Sequence, residues 1–306
     1  MTIRIVGVTK YFGKQKVLDN VTFEVNNGEI VGYVGLNGAG KTTTIRIAVG
    51  VLPPDSGDVL IDGYSVTKKK REASLRVGWV PELPIFEQEF KALDYFAYLA
   101  GYYGFSVSEA RRLGRELLEK FGLGDAMNKK LSEYSQGMKK RFALAVSMIN
   151  DPPNFLFDEV LNGLDPKGIA FFRELAKEFR RQGKAVLFSS HILSEVEDIA
   201  DRVVFIHKGR IIGVFRMDEI KSAAKPAIEL ELSIINEKVL SILEKLGKPV
   251  VSDGNKVVLG EPLVDASDVV IELSKAGVKV HSIKKVEKSL EEFFFSLVTR
   301  ADRGEI

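Results

Sequence analysis

Gly35-Leu36-Asn37-Gly38-Ala39-Gly40-Lys41-Thr42 lies between an apolar run, Ile30 to Val34, and a helix-like segment, Thr42 to Val49. Glycines let a backbone curl until consecutive N–H groups and the following helix N-terminus converge on one anion. Lys41 adds a point charge, and the Thr42 hydroxyl is a ligand for Mg²⁺. Strand, loop and helix in this order form a phosphate cradle, so the chain is expected to bind a nucleoside triphosphate through Gly35, Leu36, Asn37, Gly38, Ala39, Gly40, Lys41, Thr42 and Thr43. A glycine-rich turn that merely joins strand to helix is the plainer alternative, and both spacing and context count against it.

Before this loop, residues 3 to 31 alternate apolar and polar positions, as in Val21, Phe23 and Val25, and turn at Asn26-Asn27-Gly28. They predict a small antiparallel layer, which the strand-and-turn stretch 57 to 66 extends. The basic run Lys68 to Arg71 reads as a solvated loop. From about 90 to 150 the spacing becomes helical, with Leu113, Leu117 and Phe121 on one face and Ser108 as N-cap. Parallel-sheet character returns at Phe155-Leu156-Phe157, Ala185 to Phe188 and Val203 to Ile206, with a helix over roughly 167 to 182. The fold class is α/β, a P-loop NTPase core.

Two further segments carry chemistry. Phe155-Leu156-Phe157-Asp158-Glu159 is an apolar strand that ends in adjacent carboxylates, and ligands collect at such carboxyl edges. Asp158 is placed to hold Mg²⁺, directly or through water, and Glu159 to polarise an attacking water, a role worth ~10²–10⁴-fold. Alone, a strand ending in Asp-Glu reads better as a solvated end; after a phosphate loop the balance reverses. Between the two motifs, Ser135 caps a predicted helix with Gly137 in its first turn, which offers a second anion-binding helix end.

The order of these motifs resembles the nucleotide-binding subunit of ATP-binding-cassette (ABC) transporters over about residues 1 to 220. Segment 134 to 138 looks like a variant of that family's Leu-Ser-Gly-Gly-Gln signature, which keeps Ser135 and Gly137 and departs at Tyr134, Gln136 and Met138. The resemblance implies a head-to-tail dimer, homodimer or paired subunit, with two ATP molecules and Mg²⁺ in the interface, where the signature of one chain closes on ATP held by the other. It assigns Asp165, in Leu161-Asn162-Gly163-Leu164-Asp165-Pro166, to coupling across the dimer and His191 to the γ-phosphate and attacking water. Phe12 takes the place of the adenine-stacking aromatic, with Tyr11 as the alternative. His207 and His281 receive no role.

One departure affects the metal. At Val80-Pro81-Glu82 the family usually has Gln; Glu82 keeps an oxygen ligand for Mg²⁺, adds a negative charge and loses an amide donor, so a shifted metal and pH dependence is expected. The Tyr-Ser-Gln-Gly-Met form of the signature and the tail Ser289-Leu290-Glu291-Glu292-Phe293-Phe294 resemble the drug, sodium and antibiotic-resistance exporter group, of the ABC-2 type. An amphipathic helix closing a small domain explains that tail equally well.

The 306 residues, 45% apolar, are enough for two folding units of unequal size. A formal charge of +2 without segregation of sign gives no reason to expect nucleic acid as the main partner. The absence of cysteine removes disulfides and thiol catalysis. The N-terminus lacks the pattern of a secretory signal, and no apolar window approaches the ~20 residues that span a bilayer. Work across a membrane is therefore expected to use separate transmembrane permease subunits, with this chain peripheral at the cytoplasmic face. Their contact surface is expected around 82 to 105, where most of Tyr95, Phe96, Tyr98, Tyr102 and Tyr103 read as core.

Lys225-Pro226 reads as a boundary between an ATPase domain, 1–224 with its helical subdomain at about 90–150, and an accessory α+β domain, 225–306. The second is expected to contain strand 227–233, helix 236–246, a hairpin turning at Asp253-Gly254, helix 266–276, strand 278–286 and helix 289–300, in a ferredoxin-like order. It carries no evident chemistry and reads as a packing or dimer-stabilising appendage. Two other function classes compete with the transporter ATPase. A soluble ABC-type clamp acting on ribosomes or DNA generally carries paired cassettes or long coiled coils, and neither is present. A regulatory module that barely turns over fits poorly with Glu159 and His191.

Overall fold

The structure, a computed structural model, describes residues 2–223, 227–286 and 290–306. The chain opens with a hairpin of β1 (Ile3–Phe12) and β2 (Gln15–Val25), then passes through β3 (Ile30–Val34) and the phosphate loop into α1 (Lys41–Ala48). Next come β4 (Ser56–Ile61), β5 (Tyr64–Ser65), α2 (Lys70–Ser74) and β6 (Val77–Val80). The helical subdomain contributes α3 (Ala92–Gly101), α4 (Val107–Lys120) and α5 (Gln136–Ser147). The core resumes with β7 (Asn154–Phe157), α6 (Pro166–Arg181), β8 (Ala185–Ser190), α7 (Leu193–Ile199), β9 (Arg202–His207) and β10 (Arg210–Arg216), followed by α8 (Met217–Ala223).

Two sheets meet over one core. The first is antiparallel, in the order β2-β1-β4-β5; the second runs β10-β9-β3-β8-β7-β6 and is parallel except for β10 at its edge. Every residue of β3, β7 and β8 is buried, as expected of strands covered on both faces, whereas β2 alternates and presents one face inward. Ile3, Ile5 and Val21 of the first sheet, Val31, Leu156 and Val204 of the second, and Ile45 of α1 belong to one apolar cluster. In the parallel register Val80 pairs with Phe157, Phe157 with Phe188 and Val34 with Ser190, so the carboxyl ends of β6, β7, β8 and β3 are level. Glu82, Asp158, Glu159, His191 and the phosphate loop all follow those ends.

Local details correct the sequence expectations. The N-cap of α4 is Ser106, not Ser108: Ser106 is extended, its Oγ accepts from Glu109 N, and Glu109 Oε2 accepts from Ser106 N at 2.9 Å, a reciprocal capping box. The run Lys68–Arg71 is solvated as expected, but α2 begins inside it at Lys70. Of the aromatics expected to be mostly core, Phe96 is buried and Tyr98, Tyr102 and Tyr103 are exposed. The Tyr98 and Tyr102 hydroxyls are hydrogen-bonded to each other at the surface.

The later elements are β11 (Ala227–Leu232), α9 (Glu237–Leu246), β12 (Lys248–Asp253), β13 (Lys256–Gly260), α10 (Ala266–Lys275), β14 (Val280–Val286) and α11 (Leu290–Asp302). The sheet order β12-β13-β11-β14, antiparallel at each pairing, is ferredoxin-like, and Leu230, Leu243, Leu259 and Leu273 share its core. The compact units are Met1–Arg216 with Leu297–Ile306, and Met217–Ser296. The division thus precedes α8 instead of falling at 224/225, and the last ten residues leave the accessory unit: Asp302 Oδ1 meets His207 Nε2 at 2.9 Å and accepts from Lys208 Nζ at 2.7 Å. Lys225, Pro226 and Ser289 lie outside the described residues.

Candidate active site

A cavity of about 690 Å³ lies at the carboxyl edge of the parallel sheet. Its walls include Phe12, Asn37, Gly38, Gly40, Lys41, Thr42, Thr43, Glu82, Glu159 and His191, and that volume is in the range of small-molecule sites. Gly35, Leu36 and Ala39 complete the loop behind it. Glycine is required at two of these positions for steric reasons. A Cβ on Gly35 would stand 2.4 Å from Ile206 O; Gly40 has φ +113°, and its Cβ would meet Leu18 at 2.5 Å. Gly40 is also the N-cap of α1, where free N–H groups and the helix dipole favour an anion.

Lys41, 5% exposed, donates through Nζ to Gly35 O at 2.7 Å and to Leu36 O at 3.3 Å, and lies 3.3 Å from Glu159 Oε1. Thr42 Oγ1 donates to Asp158 Oδ1 at 3.1 Å. Ser189 Oγ donates to the same oxygen at 2.7 Å and accepts from Glu159 N at 2.9 Å, so one buried hydroxyl holds the acidic pair. Glu159 Oε2 meets His191 Nδ1 at 2.9 Å and accepts from Asn162 Nδ2 at 3.2 Å. The Glu159 backbone is left-handed, φ +46°, a sparsely populated conformation for a residue with a side chain.

Burial pushes the Asp158 carboxyl above its ordinary value, the charges of Glu82 and Glu159 add to the rise, and the hydrogen bonds from Ser189 and Thr42 oppose it. Burial also pushes the Lys140 ammonium down to about 8, against the pull of Glu82, Asp158 and Glu159. Thr42, Asp158 and Glu82 supply oxygen donors alone, and Thr42 and Asp158 are already in contact. This suits Mg²⁺, which takes one or two carboxylates and fills its remaining positions with water and phosphate. Among the described residues no cluster of three or more His, Cys, Asp or Glu is arranged for a metal, so the donor set fits an ion shared with a phosphate ligand better than a closed protein site.

Of the two aromatics left open by the sequence, Phe12 lines the cavity, half exposed, while Tyr11 is absent from its walls and lies under Lys16 Nζ at 5.6 Å. Ser135 and Gly137 are not in this cavity. They line a second one of about 460 Å³ with Gln136, Met138, Arg141, Gly163 and Asp165. Ser135 caps α5 and accepts from Met138 N at 3.2 Å; Asp165 caps α6, and the Gly168 N–H, followed by Arg141, holds its carboxyl below the ordinary value. Sequence reasoning missed Gln15, Val17 and Asn162 in the first cavity, and Ser189 and Lys140 behind it. Asn162 and Lys140 lay in segments already singled out, without a role of their own; no local pattern marked Ser189.

The family model described as ABC transporter matches residues 18–162. YhcH of Bacillus subtilis (strain 168), an uncharacterized ABC transporter ATP-binding protein, is 34% identical over 96% of this chain and 95% of its own. The bacitracin transport ATP-binding protein BcrA of Bacillus licheniformis is 36% identical, over 78% of this chain and 77% of its own. A solved structure described as an ATP-binding subunit of an ABC transporter aligns with TM-score 0.67 and 31% identity, covering 73% of this chain and 93% of that one.

Proposed function

This chain belongs to the ATP-binding subunits of ABC transporters, and on that premise we propose that its 690 Å³ cavity hydrolyses Mg-ATP within a head-to-tail dimer that drives export through separate membrane subunits. The observation that carries this reading is the meeting, in one cavity, of the phosphate loop with Glu159 and His191 only 2.9 Å apart. Export is favoured because relatives include the daunorubicin resistance protein DrrA3 of Streptomyces coeruleorubidus, 30% identical over 96% of this chain. Among the described residues no helix is long and apolar enough to cross a membrane.

The loop amides and Lys41 hold the β- and γ-phosphates, and Phe12 stacks on the base. Thr42, Asp158 and Glu82 would hold Mg²⁺, which would supply charge neutralisation for those phosphates. Glu159, oriented by His191 and Asn162, accepts a proton from water as its oxygen bonds to the γ-phosphorus and the bond to the β,γ-bridging oxygen breaks, which leaves ADP and phosphate. Ser135 and Gly137 complete the partner's site, and Asp165 beside them links the two. The exposed aromatic surface of Phe90, Tyr98, Tyr102 and Tyr103 is the docking face for the membrane subunit.

The test is Glu159→Gln. Turnover is expected to fall ~10²–10⁴-fold with nucleotide binding retained, which traps an ATP-bound dimer. Tagged variant recovered with ATP from detergent-solubilised native membranes is expected to bring a multispanning chain with it. Wild-type turnover would remove Glu159 as the base; ribosomal proteins or nucleic acid in place of a membrane chain would overturn the proposed partner.

A further inference from the structure

The loop from Glu159 to Asp165 is fastened to α5 at both ends by consecutive residues. Lys140 Nζ donates to Glu159 O at 2.8 Å, and Arg141 Nη2 donates to Asp165 Oδ1 at 3.0 Å. Between them the first turn of α5 runs along the loop, where a Cβ on Gly137 would come within 3.5 Å of Gly163 O. The Arg141 pair is partly exposed, but Lys140 is only 4% exposed. An ammonium so poorly hydrated is costly, and it persists here because the Glu159 carbonyl accepts a hydrogen bond from it and the carboxylates of Glu82, Asp158 and Glu159 stand near it.

Glu159 is the residue whose backbone most needs such a hold. Its φ of +46° is unfavourable for a side-chain-bearing residue, and the surroundings must impose it. Ser189 fixes the N–H side of the residue and Lys140 the carbonyl side, so the direction of the Cα–Cβ bond, and with it the reach of the carboxylate toward Lys41 and His191, is set from both ends. We propose that Lys140 is a positioning residue for hydrolysis: by holding the Glu159 carbonyl to α5 it aims the carboxylate at the attacking water and joins the Ser135–Gly137 turn rigidly to the hydrolytic centre. This rests on the reading of Glu159 as the base.

The experiment compares wild type with Lys140→Met and Lys140→Leu, which remove the donor and the charge while keeping most of the side-chain volume, and with Lys140→Arg, which restores a donor and charge. Misplacing a reacting group by about 1 Å costs up to ~10²-fold. The Met and Leu variants are therefore expected to lose ~10–10²-fold in kcat while the KM for ATP and the Kd for a fluorescent ATP analogue stay at the wild-type level, and the Arg variant is expected to recover most of the loss. Either donor-less variant suffices if the other fails to fold, as judged by melting. Wild-type kcat in a folded donor-less variant, an Arg variant as slow as the Met variant, or a loss of ATP affinity in step with kcat would each overturn the proposal. Failure of the underlying reading would look different, because Glu159→Gln would then turn over at the wild-type rate.

Discussion

Ser189 Oγ donates to the Asp158 carboxylate and accepts from the Glu159 backbone N–H while fully buried. Removing it with Ser189→Ala leaves a buried N–H without its partner, a cost of ~1–3 kcal/mol, and loosens Glu159. Turnover is expected to drop ~10-fold or more with ATP still bound, which steady-state kinetics beside a binding titration would read. Asp158 presents the opposite balance. Because burial raises its folded-state value, the stability it contributes is present below the ordinary carboxylate range and lost as pH rises through the folded value, so ionisation of this group opposes folding. Asp158→Asn is therefore expected to melt higher than wild type at pH 7 without nucleotide, each kcal/mol appearing as ~2–4 °C in a domain of this size. With Mg-ATP the order is expected to reverse, since only the wild type gains full ligand stabilisation. Glu82→Gln should keep Mg-ATP binding; abolished binding would show that the carboxylate is a necessary ligand. The cavity-lining residues that the sequence revealed, Lys41, Thr42, Glu159 and His191, lie in short motifs. Ser189 and Lys140 escaped because their partners are about 30 and 19 residues away in sequence, and a hydrogen bond at that separation leaves no local spacing.

Helices and strands that carry their own periodicity were legible, and their ends were less so. The apolar stretches within β3, β7 and β8 and the helix α6 lie where the pattern placed them, because burial on both faces writes itself into consecutive residues. The start of α4 was misplaced by two residues. Ser106 and Ser108 are both competent caps, and the choice falls to Glu109, which stands three residues after Ser106 and closes the box with it. Ser106→Ala is expected to cost ~0.5–2 kcal/mol of stability with ATP turnover per folded molecule unchanged, because α4 contributes nothing to either cavity. Chemical denaturation and kinetics on the same preparation would check it, and a fall in turnover would tie the helical subdomain's packing to the chemistry. The exposed tyrosines of α3 and the following turn show a further limit. A helical stripe of aromatics reads as core by periodicity alone, and only the packed structure reveals that Tyr98 and Tyr102 satisfy each other at the surface.

The two compact units divide the chain unequally in both size and chemistry. All residues lining the two cavities described above lie between Phe12 and His191, inside the first unit. The Lys-Pro pair at 225 drew attention as a linker, yet the final ten residues belong with residues nearly a hundred positions earlier, through Asp302 with His207 and Lys208. Chain order cannot announce such a return. A chain ending at Arg216 is therefore expected to bind Mg-ATP with unchanged affinity but to melt lower, because it loses the Asp302 contacts and the burial of Leu297, the latter alone on the order of 2 kcal/mol. Asp302→Ala in the full chain should move the melting temperature far less, since its carboxylate is nearly half exposed and its ion pairs are screened. Equilibrium binding of a fluorescent ATP analogue beside thermal melts would separate these effects. Weaker binding by the shortened chain would show that the ATP cavity depends on residues beyond 216, and a large loss of stability in Asp302→Ala would show that the tail is held by charge and not by apolar burial.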